Sequence, residues 1–302
     1  MEYYLNQKRR LINQSLNKYL LPSSTFPKEI HQAMRYSVLN GGKRLRAILS
    51  LMVGELLNTP NNKIMPFACS LEMIHSYSLI HDDLPAMDND DFRRGKPTCH
   101  KVFGEAIAIL AGDALLTCAF QIIADKIHNK SIVPVLISEL ARSAGSCGMV
   151  GGQVLDIISV GATKHRTKSI ENKNSTLNAS LREMHLRKTA AMIIIAARGA
   201  GIISNARPEA LSAITSYARD FGLAFQIIDD ILDVKGSLKQ LGKTPGKDAH
   251  HNKLTYPFLK GLDNSYKEAA HLIQSAKGSL AMFGKRAERL KELADYLLAR
   301  KA

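Results

Sequence analysis

The amino-acid sequence predicts an all-α fold, and three features carry the prediction. Ala, Leu, Ile, Arg and Lys dominate the composition and Trp is absent, a palette that favours helices. Apolar residues recur at helical spacing in almost every long segment. No alternating pattern long enough for a useful strand occurs, and neither does a short-period repeat or a low-complexity tract. With 302 residues, 45% hydrophobic and 23% charged, the chain has ample material for a core. A single domain covering 1–302 is expected.

The helices follow in order. Leu5, Leu11, Ile12, Leu16 and Leu20 mark a first helix over about 2–20, which ends before Pro22. Pro27 fits the first turn of a second, reaching about Asn40. Gly41 and Gly42 then punctuate the chain, and the next helix opens with Lys43, Arg44 and Arg46 on its first turns. Cations there oppose the helix dipole and are poor choices for stability alone, whereas free amides flanked by Lys and Arg suit a diphosphate. Residues 63–84 read as one long helix, apolar nearly all round and therefore buried. Helices at about 100–128 and 131–147 come next. Gly145, Gly148, Gly151 and Gly152 follow no strand, so close helix packing explains them better than a dinucleotide fingerprint; Gln153 and Asp156 form a polar pair just beyond. The polar, basic stretch 161–176 lacks periodicity and reads as a connection. Lys188 and Thr189 then lead into a strongly apolar helix, where a lysine either snorkels or faces a ligand. A second long apolar helix covers 208–234, and a Gly- and Lys-rich loop holds Lys243, Lys247 and Lys253. Amphipathic helices at 254–262, 265–277 and 280–301 complete the chain.

A net charge of +14 admits nucleic acid, a membrane surface or a small polyanion as partner. The cations are scattered, with no basic arm, zinc-finger spacing or stacked-aromatic RNA motif, which argues against nucleic acid. No run of eighteen apolar residues predicts a membrane span, and the N-terminus lacks the apolar core and cleavage site of a signal peptide. Cys69, Cys99, Cys118 and Cys147 are widely separated without paired spacing, as reduced thiols would be. A soluble, cytoplasmic protein is expected.

Chemistry concentrates in two acidic clusters. Between His75 and Gly95 stand Asp82, Asp83, Asp88, Asp90 and Asp91, followed at once by Arg93 and Arg94. Alone, such a run reads as a solvated loop. The second cluster changes that reading. Gln226, Asp229, Asp230 and Asp233 fall at i, i+3, i+4 and i+7, on one helix face among Ile, Leu and Phe, where unpaired carboxylates are costly. Magnesium, a hard ion that takes carboxylate and phosphate oxygens, compensates both. Facing each other across a helical bundle, the clusters would hold about two or three such ions. Basic groups from the Lys43 turn, Arg93–Arg94 and the Lys243–Lys253 loop would rim the same mouth, which suits a substrate with a diphosphate head and an apolar tail.

These motifs resemble a known family. DDLPAMD (Asp82, Asp83, Asp88) and DDILD (Asp229, Asp230, Asp233) are similar to the two aspartate-rich motifs of trans-polyprenyl diphosphate synthases. The resemblance runs through GGKRLR, His75, FRRG, GGQVLD, HLRKT, FQIIDD and GKTPGKD…NKLTYP, in the family's order over most of 35–260. The four-residue spacer inside the first motif resembles the bacterial farnesyl diphosphate synthase branch. The resemblance implies an antiparallel helical bundle of the isoprenoid synthase type with a central cavity, working as a homodimer. It implies that Asp82, Asp83, Asp88, Asp229, Asp230 and Asp233 hold about three magnesium ions on an allylic diphosphate. Arg93, Lys188, Lys243 and Lys253 would grip that diphosphate. Lys43, Arg46, His75 and Arg94 would hold isopentenyl diphosphate without metal. Lys188, Thr189 and Gln226 would stabilise an allylic cation through carbonyl and side-chain dipoles. The implied reaction is ionisation, attack by the isopentenyl double bond, and proton loss to the departing diphosphate.

Product length rests on Tyr77, five residues before Asp82 and about 7.5 Å along a helix at the standard rise. In similar enzymes a large residue there floors the tail pocket near C15. The expected product is therefore farnesyl diphosphate, made from dimethylallyl or geranyl diphosphate. A geranyl or geranylgeranyl diphosphate synthase is the nearest alternative. A terpene cyclase would share the first motif without needing DDILD, and a non-catalytic partner subunit would not need both motifs intact. Two departures stand out: Lys188-Thr189-Ala190 replaces the common KTG, adding a methyl at a packed helix, and the 161–176 connection is longer than expected.

Overall fold

Helices form where the apolar period puts one face or the whole surface of a segment out of water. A computed structural model describes residues 1–164, 174–235 and 254–300. In chain order the helices begin with α1 (Glu2–Tyr19), α2 (Lys28–Leu39), α3 (Leu45–Leu56) and α4 (Asn61–Asp82). After a two-stranded hairpin come α5 (Cys99–Phe103), α6 (Glu105–Lys126), α7 (Val133–Ala144), α8 (Met149–Lys164) and α9 (Asn174–His185). A π-helical turn, Leu186–Ala190, joins α9 to α10 (Ala191–Ile203), and α11 (Pro208–Lys235) follows. The last helices are α12 (Tyr256–Lys260), α13 (Leu262–Ser279) and α14 (Glu288–Leu298). Among the described residues the hairpin of β1 (Phe92–Arg93) and β2 (Lys96–Pro97), paired antiparallel, is the only sheet. The fold is all-α, as expected.

The chain forms two compact units. The first contains Met1–Ile137 and Ile202–Ser204, the second Ser138–Gly201 and Asn205–Ala302. In the first, α4 is the central helix. It buries Ile64, Phe67, Leu71, Met73, Ile74 and Ile80 on all sides, and α3 and α6 pack along it. Burying each such side chain contributes about 1.5–3 kcal/mol. The helix expected over 100–128 is broken at Gly104, whose φ of 83 no α-helix can carry, so α5 stops there and α6 starts afresh. By length and composition α6 could cross a membrane. Here it acts as a core helix, with Ala108, Ala111, Leu115, Ala119 and Ile123 buried and Ile109 and Leu110 left exposed.

In the second unit α11 is central. It buries Ile214, Phe221, Ile227, Ile228 and Ile231, with α13 packed along it. Tyr217 is buried with its ring stacked 5.7 Å from Phe221, and its hydroxyl donates to the Leu290 carbonyl at 2.8 Å. The helix expected over 280–301 begins instead as a 3-10 segment, Ala281–Ala287, bent at Gly284 before α14.

Candidate functional site

In the first unit a cationic cluster forms where α2 gives way to α3. Gly41 (φ 73) and Gly42 (φ 119) turn the chain, and a Cβ on Gly42 would lie 2.7 Å from the Arg94 guanidinium carbon. The bare backbone thus lets Arg94 in, and Arg94 Nη1 donates to the Gly41 carbonyl. Burial and the neighbouring Arg44, Arg93 and Arg46 pull the Arg94 pKa down to about 10. His75, on α4, meets the same field: burial, then Arg46, Arg94, Arg93 and Arg44, hold its pKa well below the usual histidine value. The ring is therefore neutral. Charges of one sign gathered like this repel, and an anion among them relieves the repulsion. Arg46, His75 and Arg94 are brought together in one positive field that Arg93 shares, with Lys43 in the adjoining turn.

Arg44 belongs to the fold instead. It caps α3 at φ 55 and is 2% exposed. Its guanidinium donates to Asn13 Oδ1 at 2.9 Å and to the Val38 carbonyl, and lies 3.4 Å from Glu72 Oε2. The first turn of α3 thus carries one structural arginine among the cradle residues.

The first acidic motif sits where α4 ends. The loop folds back on itself, with Asp88 N donating to the Asp82 carbonyl at 2.9 Å and Asp90 N to the Asp83 carbonyl at 3.2 Å. Asp82 and Asp88 therefore share one turn. Both oxygens of buried Asp83 accept from Arg93 Nε, at 2.7 and 2.8 Å. Burial raises the Asp83 pKa and the Arg93 hydrogen bonds pull it back. Arg93 Nη2 also reaches Asp90 Oδ2 at 3.5 Å. Arg93 ends β1, whereas Arg94 follows it in the turn at a φ of 54, and that change of backbone direction lets Arg94 reach the cationic cluster while Arg93 holds Asp83. Asp91 pairs with Lys101 at 2.8 Å, and Thr98 Oγ1 donates to the Asp90 carbonyl at 2.7 Å, so both aspartates serve the loop.

In the second unit Lys188 and Thr189 lie in the π-helical turn, an irregularity often found at functional sites. Lys188 Nζ pairs with Asp156 on α8. The two segments approach so closely that a Cβ on Gly152 would lie 2.2 Å from the Lys188 backbone nitrogen. The extra methyl of Ala190 is buried, and Gly222 on α11 leaves it room: a Cβ there would come within 2.9 Å. A polar chain runs onward from the turn. Thr189 Oγ1 donates to Gln226 Oε1 at 2.6 Å, and Gln226 Nε2 donates to Asp230 Oδ1 at 2.9 Å. Tyr256 N donates to Asp230 Oδ2 at 3.2 Å, and His185 Nε2 lies 3.8 Å from the same oxygen. Burial drives the His185 pKa down to about 3 and raises that of Tyr256 to about 12. Asp229 accepts from Arg300 Nη1 at 3.1 Å, and Asp233 is buried one turn further along α11. Lys243 and Lys253 lie outside the described residues.

The donor set fits magnesium of one particular kind. Among the described residues no three His, Cys, Asp or Glu side chains converge as a metal cage. Magnesium binds commonly through one or two carboxylates plus substrate phosphates, and each motif offers hard carboxylate oxygens in that sparse arrangement. Asp156, His185, Tyr256 and Arg300 are site neighbours that sequence reasoning missed as such. A half-buried Lys188 at the start of an apolar helix needs a counter-charge, which Asp156 supplies; Arg300 carries no local signal.

A family model described as polyprenyl synthetase matches residues 27–296. A dimethylallyltranstransferase from Fischerella ambigua (strain UTEX 1903) is 44% identical over 299 residues, covering 98% of this chain and 83% of that protein. A geranylgeranyl diphosphate synthase from Cyanophora paradoxa is 40% identical over 98% of this chain and 95% of its own. Among solved structures, an FPP/GFPP synthase from Zymomonas mobilis, in its apo form, superposes with a TM-score of 0.83 at 34% identity, covering 99% of this chain and 98% of that one.

Proposed function

As a member of the polyprenyl synthetase family the chain is a trans-prenyltransferase, and we propose that it makes (2E,6E)-farnesyl diphosphate from isopentenyl diphosphate and dimethylallyl or geranyl diphosphate. The observation that carries the reading is the presence of two adjoining charge environments in the first unit. Arg46, His75 and Arg94 gather as an anion cradle, and Arg93 links it to the acidic motif, binding Asp83 while adding to the positive field at His75 and Arg94. Two diphosphates need two such environments.

Lys43, Arg46, His75 and Arg94 bind isopentenyl diphosphate, and its charge offsets their mutual repulsion. Arg93, Lys188, Lys243 and Lys253 orient the allylic diphosphate. Asp82, Asp83, Asp88, Asp229, Asp230 and Asp233 would hold magnesium, about three ions by the resemblance, and the metal would supply positive charge to a departing diphosphate. Thr189 and Gln226, fixed by their mutual hydrogen bond, present ordered dipoles to the carbon that becomes positive. The π turn breaks regular helical pairing at Lys188, which suits a backbone carbonyl that serves the same end. The isopentenyl double bond forms the new C–C bond, and the departing diphosphate takes the proton released as the product double bond forms.

Tyr77, buried on α4, supports chain growth that stops at C15. The relative named for geranylgeranyl synthesis favours a second reading, C20. We also propose that the two units work as one catalytic domain in a cytoplasmic homodimer, with exposed Ile109 and Leu110 of α6 available for self-association. Chromatography of products from isopentenyl diphosphate with each allylic starter decides chain length. Farnesyl diphosphate is expected to accumulate; geranylgeranyl diphosphate as the main product would replace the C15 reading with C20.

A further inference from the structure

We propose that His81 is a positioning residue for product length, seated in a socket left by Gly112 and holding the Tyr77 ring in place. The inference rests on the prenyl-transfer reading, with Tyr77 as the floor of the tail pocket. Tyr77 and His81 lie at i and i+4 on α4, one above the other on a single face. Their rings meet edge-on, with centroids 5.8 Å apart and planes at 75°. Across from them on α6 stands Gly112. A Cβ at that position would lie 2.1 Å from His81 Nε2 and 2.6 Å from its Cδ2, so the imidazole occupies the space a side chain would need.

The imidazole is also anchored. His81 Nε2 lies 3.1 Å from the Ile109 carbonyl and 4.0 Å from Asp113 Oδ1, both on α6. Two acceptors on that side favour the tautomer with its proton on Nε2, which donates to the Ile109 carbonyl. The ring therefore ties α4 to α6 immediately beside Tyr77. A glycine in the interior of a helix is unfavourable relative to alanine, and the His81 side chain keeps 30% of its surface exposed. For packing alone, alanine with a smaller residue opposite would serve better. A floor against a growing apolar chain has a further requirement: it must not swing aside. Tyr77 turns about two side-chain torsions, and the neighbouring Ser78 is too small to replace it. His81 supplies the stop.

The test is product distribution from the full chain, with isopentenyl diphosphate and each allylic starter, in Tyr77→Ala, His81→Ala, His81→Gln, Gly112→Ala and the Tyr77→Ala/His81→Ala pair. His81→Ala, which removes the ring, and Gly112→Ala, which expels it, are each expected to raise the share of products longer than the wild-type product several-fold. His81→Gln keeps an N–H for the Ile109 carbonyl and is expected to restore the wild-type distribution. The pair should give no longer products than Tyr77→Ala alone. A purely structural role would lower kcat or Tm and leave the distribution unchanged. That pattern in His81→Ala and Gly112→Ala, with Tyr77→Ala still lengthening the product, overturns the proposal; if His81→Ala does not fold, Gly112→Ala alone decides. An unchanged product from an active Tyr77→Ala defeats the floor assignment and this proposal with it. Absence of any prenyl product from the wild-type chain defeats the functional reading instead.

Discussion

Arg44 and Arg46 stand two residues apart, and their surroundings give them different roles. Arg46 faces the cluster around His75, whereas Arg44 is closed away from water against Glu72, Asn13 and the Val38 carbonyl. Removing one partner of a buried pair leaves an uncompensated charge, which costs about 3–5 kcal/mol. Glu72→Gln is accordingly expected to destabilise the protein by an amount of that order, measured by denaturant unfolding. His75 gives a pH signature. Its folded pKa is depressed by burial and by Arg46, Arg94, Arg93 and Arg44, while the unfolded chain titrates near 6.5. Below that pH the unfolded state takes up a proton that the native state refuses. Stability should hold above about pH 6.5 and fall as pH drops toward the folded pKa, with a slope of up to about 1.4 kcal/mol per pH unit from this group. Unfolding at a series of pH values, compared with His75→Gln, checks this; an unchanged slope in the variant would contradict it.

The long helices were legible in the sequence because burial imposes an apolar period on them. α4 and α11 read correctly from that pattern, their ends marked by the aspartates. The breaks at Gly104 and Gly284 were not legible, since glycine is tolerated both inside a helix and at its end. The π turn at Lys188 also left no trace, because one inserted residue does not disturb the apolar pattern on either side. Its closeness to α8 makes a prediction at this scale. A Cβ at position 152 would collide with backbone at Lys188, which cannot swing away as a side chain could. Gly152→Ala should cost about 1–3 kcal/mol of stability. It should also lower kcat/KM by about tenfold to a hundredfold through displacement of Lys188 and Thr189. Melting curves and steady-state kinetics measure the two effects separately.

At the scale of the whole molecule, the acidic motifs stand out in the sequence because carboxylates on an apolar helix demand a reason, and metal with diphosphate is the reason we propose. Their present partners were not readable. Arg300 on Asp229 and Tyr256 N on Asp230 join residues distant in sequence, and only packing brings them together. The net charge of +14 fits the proposed role, in which the chain neutralises two diphosphates while carrying its own aspartates. The most direct measurement of metal-dependent prenyl transfer is the incorporation of labelled isopentenyl diphosphate into an allylic starter, with magnesium present and again with excess chelator. Farnesyl diphosphate is expected with magnesium and no extended product with chelator. Extension that survives the chelator, or no extension from any starter with magnesium present, would contradict the role given to the two aspartate motifs.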